Sequence, residues 1–235
     1  MSEQRALHVN AVLFDLDGTL VDTTDLIIAS HEHTLTQHFR GEQLPARREI
    51  ILNLGRSLPE TLREYAAADE AADAGEAAEQ MLRTYRDYQL ANHDRMIRPF
   101  ERVRDTLEEL TRRGYLPGVV TSKLEVNARL ALDMYDLGGL LPFGVFHDDT
   151  DVHKPDPAPL LLAAQKNSLD ASRTAYVGDS IHDMAAGRAA GMRTVAALWG
   201  PFPREDLEKE RPDAFAATPA SLLNVFPARV RSGSA

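Results

Sequence analysis

Five short apolar runs constrain this 235-residue chain more than any other feature: residues 12–15, 116–121, 144–147, 174–178 and 193–198. Most of them end in Gly, Asp, Ser or Thr. Runs that are apolar at nearly every position, rather than at every second one, suit strands buried on both faces of a parallel sheet. Helical patterns lie between them, over residues 100–113, 125–134, 158–167 and 182–190. Strands alternating with helices at these spacings predict an α/β fold, a doubly wound, Rossmann-like parallel sheet.

Residues 20–95 have a different texture, rich in Ala, Glu, Arg, Gln and Leu and without a convincing strand. Amphipathic helices are expected over 25–39, 57–68 and 77–92, with Met81, Leu82, Tyr85 and Tyr88 crowding one face of the last as core packing. The Ala/acid-biased stretch 66–79 is expected to connect two helices through a turn around Gly75, and His31, His33 and His38 to be surface or packing residues. The last five residues suggest a loose tail. The predicted organisation is a discontinuous core, residues 1–19 and 96–235, with an inserted α-helical cap, residues 20–95.

Composition removes several function classes. Without cysteine the chain has no disulfide, thiolate zinc site, iron–sulfur cluster or cysteine nucleophile. A formal net charge of −10 argues against a nucleic-acid-binding surface, which normally needs a basic patch, while leaving free nucleotides open as substrates. No apolar run approaches the roughly 18 residues of a membrane span, and the N-terminus lacks a signal-peptide pattern, so a cytoplasmic, unanchored protein is expected.

Chemistry concentrates at strand ends. The run Val12-Leu-Phe-Asp15-Leu-Asp17-Gly18-Thr19 carries an apolar strand into two carboxylates. In a β pleat Asp15 and Asp17 point to the same side, and two negative charges so close are unfavourable unless a cation sits between them. Oxygen ligands of this kind suit Mg²⁺, and one ionised Asp can act as nucleophile while the other exchanges protons with the leaving group. Gly18 allows backbone N–H groups close to an anion. A second acid ends a strand in Tyr176-Val-Gly178-Asp179-Ser180-Ile-His-Asp183. Strand C-termini of a parallel sheet share one edge, so Asp15, Asp17 and Asp179 are expected to converge as a metal site. Helix capping is the alternative role for Asp179, and a favourable first-turn charge that for Asp183. Thr121-Ser122-Lys123 and His153-Lys154-Pro155-Asp156 add a hydroxyl pair and a lysine, which suit phosphate oxygens and developing phosphoryl charge.

Taken together and in this order, Asp-Leu-Asp-Gly-Thr, Thr-Ser, Lys-Pro-Asp and Gly-Asp-Ser-Ile-His-Asp resemble the four motifs of the haloacid dehalogenase superfamily over essentially the whole chain. The helical block is similar to the cap of its phosphoglycolate phosphatase-like branch. The resemblance implies Asp15 as nucleophile forming an aspartyl-phosphate, and Asp17 as general acid/base with its backbone carbonyl on Mg²⁺. It implies Asp179 as the remaining protein ligand and Asp183 as support for the metal through water or hydrogen bonds. Thr121 and Lys154 would bind phosphate, and Gly18 and Ser122 would lend backbone donors. Asp17 argues against a true dehalogenase, and Gly-Asp-Ser in place of Glu-Asp-Ser argues for hydrolysis over the phosphomutase alternative. A non-enzymatic, regulatory member of the fold is disfavoured because every charged motif residue is present. Residues 20–95 contain no lysine, which excludes the Schiff-base route of phosphonate hydrolysis.

The expected partner is a small phosphorylated metabolite, acted on by a monomer or homodimer. Phe100-Glu-Arg-Val-Arg, the Thr-Ser-Lys and His-Lys-Pro-Asp-Pro segments and Ala197-Leu-Trp199-Gly-Pro201 look most like bacterial phosphoglycolate phosphatases, with inorganic pyrophosphatase or a broad sugar or nucleotide phosphatase as alternatives. In the turn Asn53-Leu-Gly55-Arg56-Ser57, Arg56 is a candidate to reach a carboxylate or second phosphate bidentately, with an exposed cap arginine as the alternative.

Overall fold

The computed structural model describes residues 6–40, 44–69 and 73–228. The predicted tail, 231–235, lies outside them. Each of the five predicted runs forms a strand of one six-stranded sheet: β1 (Ala11–Phe14), β4 (Leu116–Val120), β5 (Gly144–Val145), β6 (Thr174–Gly178) and β7 (Arg193–Ala197). A sixth strand, β8 (Ala214–Ala216), extends one edge; at three residues it is too short to stand out in the sequence. The spatial order is β5-β4-β1-β6-β7-β8, and every neighbouring pair is parallel. Strand order therefore reverses direction at β1, the topological point at which open α/β sheets leave a crevice.

Alternate residues of β1 serve two different cores. Val12 and Phe14 pack into one apolar cluster and Leu13 into the other. The helices α5 (Val103–Arg112) and α6 (Glu125–Met134) cover the first face, and α7 (Ala158–Lys166) and α8 (Ile181–Ala189) the second, which is why the runs carry no polar alternation. Two shorter helices, α9 (Arg204–Lys209) and α10 (Leu222–Val225), follow β7 and β8.

Between β1 and α5 the chain forms α1 (Thr24–His38), α2 (Arg47–Asn53), α3 (Leu58–Ala68) and α4 (Ala74–Met96). They enclose their own apolar core of Ile28, Leu35, Ile50, Leu62, Met81 and Tyr85. At the root, β2 (Val21–Asp22) pairs antiparallel with β3 (Arg98–Pro99), a two-residue ribbon that the sequence reading omitted because so short a strand has no periodicity. Gly75 is not the turn: the Asp73 carboxylate caps α4 by accepting from the Gly75 and Glu76 amides, so Gly75 lies in the first helical turn. A smaller apolar cluster, Leu54 with Met184, Ala196, Phe202 and Leu207, joins the helical block to the sheet domain.

His31 is a packing residue, as expected, wedged between Tyr65 and Tyr85 at ring-centroid distances of 6.0 and 4.9 Å. Burial lowers its pKa from 6.5 to about 4, so the folded state holds it neutral while the unfolded chain takes up a proton below pH 6.5. Its contribution is therefore complete above pH 6.5 and is lost as pH falls toward 4. Urea titrations across this window should show wild type losing up to about 3 kcal/mol that the H31Q variant does not lose.

Candidate active site

The loops after three adjacent strands build the site: Asp15 follows β1, Thr121 follows β4 and Asp179 follows β6. Because these strands are parallel, their C-terminal ends meet at one sheet edge, beneath the helical block. Asp15, Asp179 and Asp183 are all buried, and one carboxylate oxygen from each lies within 4.8 Å of the other two.

Lys154 reaches this group from the loop before α7. Its Nζ, 2% exposed at the residue level, lies 3.0 Å from Asp15 Oδ1 and 2.7 Å from Asp183 Oδ1, and donates to the Tyr176 hydroxyl at 3.0 Å. Tyr176 in turn donates to the Val120 carbonyl at 2.8 Å. Asp183 closes a capping box at the start of α8: its Oδ2 accepts from the Ser180 amide at 3.0 Å and hydroxyl at 2.6 Å. The cap residue is thus Ser180, which leaves Asp179 free to face the site; Asp179 Oδ1 accepts from Thr19 Oγ1 at 2.6 Å.

Three buried carboxylates share one lysine, and the electrostatics report the imbalance. Burial pushes the Asp15 carboxyl up to about 7; Lys154 opposes that shift, and Asp183 and Asp17 reinforce it. Asp179 is raised well above the usual carboxylate range by burial, with Asp183 and Asp15 adding to it. Asp183 goes the other way, because Lys154 and the Ser180 hydrogen bonds outweigh the effect of its burial. Burial alone would lower Lys154, but Asp15 and Asp183 hold it above the ordinary lysine value. Asp15 Oδ1, although close to Lys154, lacks a hydrogen bond of normal geometry. An all-oxygen donor set, an excess of buried negative charge and an unsatisfied carboxylate oxygen are the features a hard divalent cation fits.

Two expectations from the sequence change here. The carboxylate of Asp17 is not part of the acidic group; it pairs with Lys123 Nζ at 2.8 and 3.1 Å, and Asp183 takes its place beside Asp15 and Asp179. β1 ends at Phe14, so Asp17 lies beyond the strand, in an isolated bridge with Val21 rather than in a continuing pleat. The Gly18 amide does not present itself to an anion either, since it donates to the Val21 carbonyl at 2.9 Å. What Gly18 supplies is a φ of +80° and room: a Cβ there would lie 2.5 Å from Asp179 Oδ2.

Above the carboxylates a cleft of about 800 Å³, including the part open to solvent, runs between the sheet domain and the helical block. Asp15, Asp17, Thr121, Ser122 and Lys123 line it from below, and Asn53, Gly55, Arg56, Tyr85 and Arg86 from above. Thr121 is buried, and its Oγ1 accepts from the Lys123 amide at 3.3 Å. The Ser122 hydroxyl donates to the Gly55 carbonyl at 2.7 Å and ties the two halves together. Gly55 adopts φ +89°, and a Cβ there would stand 2.8 Å from Ser180 Oγ, so the turn lies directly on the start of α8. Arg56 lines the cleft, but its guanidinium fork is taken by Glu64 at 2.5 and 2.8 Å and by Asn53 at 2.8 Å. An acid two turns into α3, which the sequence reading did not weigh, satisfies the group expected to bind substrate. Lys123 and Thr19 find partners, Asp17 and Asp179, that are distant in sequence and that only the fold brings to them.

Gly18→Ala should therefore damage the site more than the fold. Strain at positive φ and the clash with Asp179 predict a loss of about 1–3 kcal/mol in stability, measured by denaturant unfolding, alongside a loss of turnover well beyond tenfold.

Comparisons with known proteins agree with this geometry. The family model described as haloacid dehalogenase-like hydrolase matches residues 12–197. Pyrophosphatase PpaX of Bacillus pumilus is 36% identical over 217 residues, 92% of this chain and 96% of that protein. Pyrophosphatase PpaX of Bacillus velezensis is 35% identical over 218 residues, covering 93% and 96%. Among solved structures, a hydrolase from Pseudomonas syringae superposes with a TM-score of 0.80 at 26% identity, covering 92% of this chain and 96% of that one. The acid-bearing strand ends, the buried lysine and the inserted helices thus sit on a known scaffold: the chain belongs to the haloacid dehalogenase-like hydrolases, as a phosphatase of that family.

Proposed function

We propose that the protein is a Mg²⁺-dependent hydrolase of a small phosphate compound, with inorganic pyrophosphate as the first substrate to test. The observation that carries the reaction class is the buried Asp15–Lys154–Asp183 arrangement facing a cleft, with Asp17 beside it. Pyrophosphate moves ahead of phosphoglycolate, which the motifs alone favoured, because relatives sharing over a third of their residues across nearly their whole length carry the name pyrophosphatase.

In this reading Asp15, Asp179 and the backbone carbonyl of Asp17 hold the cation, and Asp183 supports it. Bound there, Mg²⁺ supplies positive charge that keeps carboxylates ionised and offsets charge on phosphoryl oxygens. An Asp15 oxygen attacks phosphorus as the bond to the leaving oxygen breaks, and Asp17 gives that oxygen a proton, leaving an aspartyl-phosphate. Asp17 then takes a proton from water as the water oxygen bonds to phosphorus and Asp15 is released. Lys154 lies 3.0 Å from Asp15, placed to neutralise the phosphoryl group during both transfers, and Thr121 stands at the adjacent strand end to hold its oxygens. Lys123 Nζ, 2.8 Å from Asp17 Oδ1, orients the Asp17 carboxyl group, which carries the proton when substrate binds. Residues 20–95 serve as a cap that excludes bulk water, and residues 1–19 with 96–235 as the catalytic core.

Phosphate release should be followed for pyrophosphate, 2-phosphoglycolate, nucleoside monophosphates and sugar phosphates, with Mg²⁺ and with EDTA. Release should require the metal and favour pyrophosphate. Asp15→Asn should lower turnover by about a thousandfold or more and Asp17→Asn nearly as much. Substantial turnover by either variant, or undiminished release in EDTA, contradicts the assignment.

A further inference from the structure

The part of the cleft beside Asp17 holds a cation and a ring nitrogen that the chain leaves unsatisfied. His147, on the loop after β5, lines the cleft with its Nδ1 buried and without a hydrogen-bond partner. Its amide donates to the Lys123 carbonyl at 3.0 Å, which seats it next to the lysine that holds Asp17. His153 stacks on its ring at 4.0 Å and fixes the ring plane. Arg86 enters from the opposite wall, on α4, directly after Tyr85, a residue that feels the charge of Asp17.

The other cleft cations are already matched: Lys123 by Asp17, and Arg56 by Glu64. Arg86 has neither an ion pair nor a hydrogen bond among the described residues, and the charged neighbour it acts on most visibly is His147. Burial first, then the charge of His153 and, less, that of Arg86 hold His147 below the ordinary histidine range, against the opposing charges of Asp148 and Glu60. Both groups line the cleft, one cationic and one able to donate or accept, and among the described residues neither has a carboxylate partner.

We propose that Arg86 and His147 form a second anion subsite that binds the leaving group of the substrate. The assignment rests on the hydrolytic reading above and narrows its substrate class: the group that departs from phosphorus carries an anion of its own, a phosphate or a carboxylate. Asp17 protonates the bridging oxygen, and the remaining charge on the departing group meets the Arg86 guanidinium and the His147 ring, which line the same cleft. A neutral leaving group leaves Arg86 solvated at the cleft mouth and gains nothing from it, so discrimination arises from binding the anion.

Steady-state kinetics with Mg²⁺ on wild type, R86A, R86K and H147Q test this, using pyrophosphate, 2-phosphoglycolate and 4-nitrophenyl phosphate. Arg86 is exposed, so its replacement does not disturb the fold. R86A should raise KM about tenfold or more on a substrate with an anionic leaving group, with kcat within about twofold, and leave 4-nitrophenyl phosphate unchanged. R86K should fall between, and H147Q should move the same substrates. A change confined to pyrophosphate assigns the subsite to phosphate, one confined to phosphoglycolate to carboxylate. Equal losses on all three substrates, or no change on any, overturn the subsite. If wild type releases no phosphate at all, the hydrolytic reading fails separately, and calorimetry with methylenediphosphonate still decides: a Kd raised about tenfold by R86A supports the subsite, and an equal Kd overturns it.

Discussion

A lysine ammonium buried among carboxylates is the interaction on which the rest of this structure depends. Lys154 bridges Asp15 and Asp183 with almost no access to water. Taking such charges out of water costs several kcal/mol per ion before their attraction returns it, so each must be held where the others need it. The fold meets that demand by redundancy. Asp183 is gripped by the capping box of α8, Lys154 by Tyr176, and Tyr176 by the carbonyl of Val120 at the end of a neighbouring strand. Even so one lysine does not balance three acids. Burial first, with the neighbouring carboxylates adding to it, holds Asp15 and Asp179 above the usual carboxylate range.

The helical block completes the site rather than merely covering it. Its own core allows it to pack as a unit, yet the turn at Gly55 and Arg56 presses onto the sheet domain through the Ser122 hydroxyl, the start of α8 and the His182 ring, whose Nε2 lies 2.8 Å from the Leu52 carbonyl oxygen. These contacts are polar and are flanked by one small apolar cluster. The two walls also differ chemically: Asp15, Asp17 and Lys123 line the lower, and Arg56, Tyr85 and Arg86 the upper.

Much of the scaffold was legible from local pattern. Buried strands lacking polar alternation identified a parallel sheet covered on both faces, and the strand-end acids identified the edge where chemistry gathers. Where the reading went astray, the cause was a local geometry that residue type does not reveal. Asp17 shares a side with Asp15 only if β1 continues past Phe14, and it does not. Gly18 was assigned to an anion by its lack of a side chain, whereas the turn uses its amide and the neighbouring Asp179 uses its space. Arg56 looked free because Glu64 is eight positions away on the next helix.

By itself, then, the sequence determined the sheet, its parallel sense, the presence of an inserted helical block and the placing of Asp15 and Asp179 just beyond strand ends, because apolar periodicity and residue chemistry are local properties. Only the tertiary structure decided which charges neutralise one another. Lys123 meets Asp17 across 106 positions and Thr19 meets Asp179 across 160, while Arg86 and His147 come to line one cleft from different layers of the fold. Pairings of that span depend on which strand ends lie side by side and on where the helices land above them, and Coulomb energies at contact distance follow those positions rather than the order of residues along the chain.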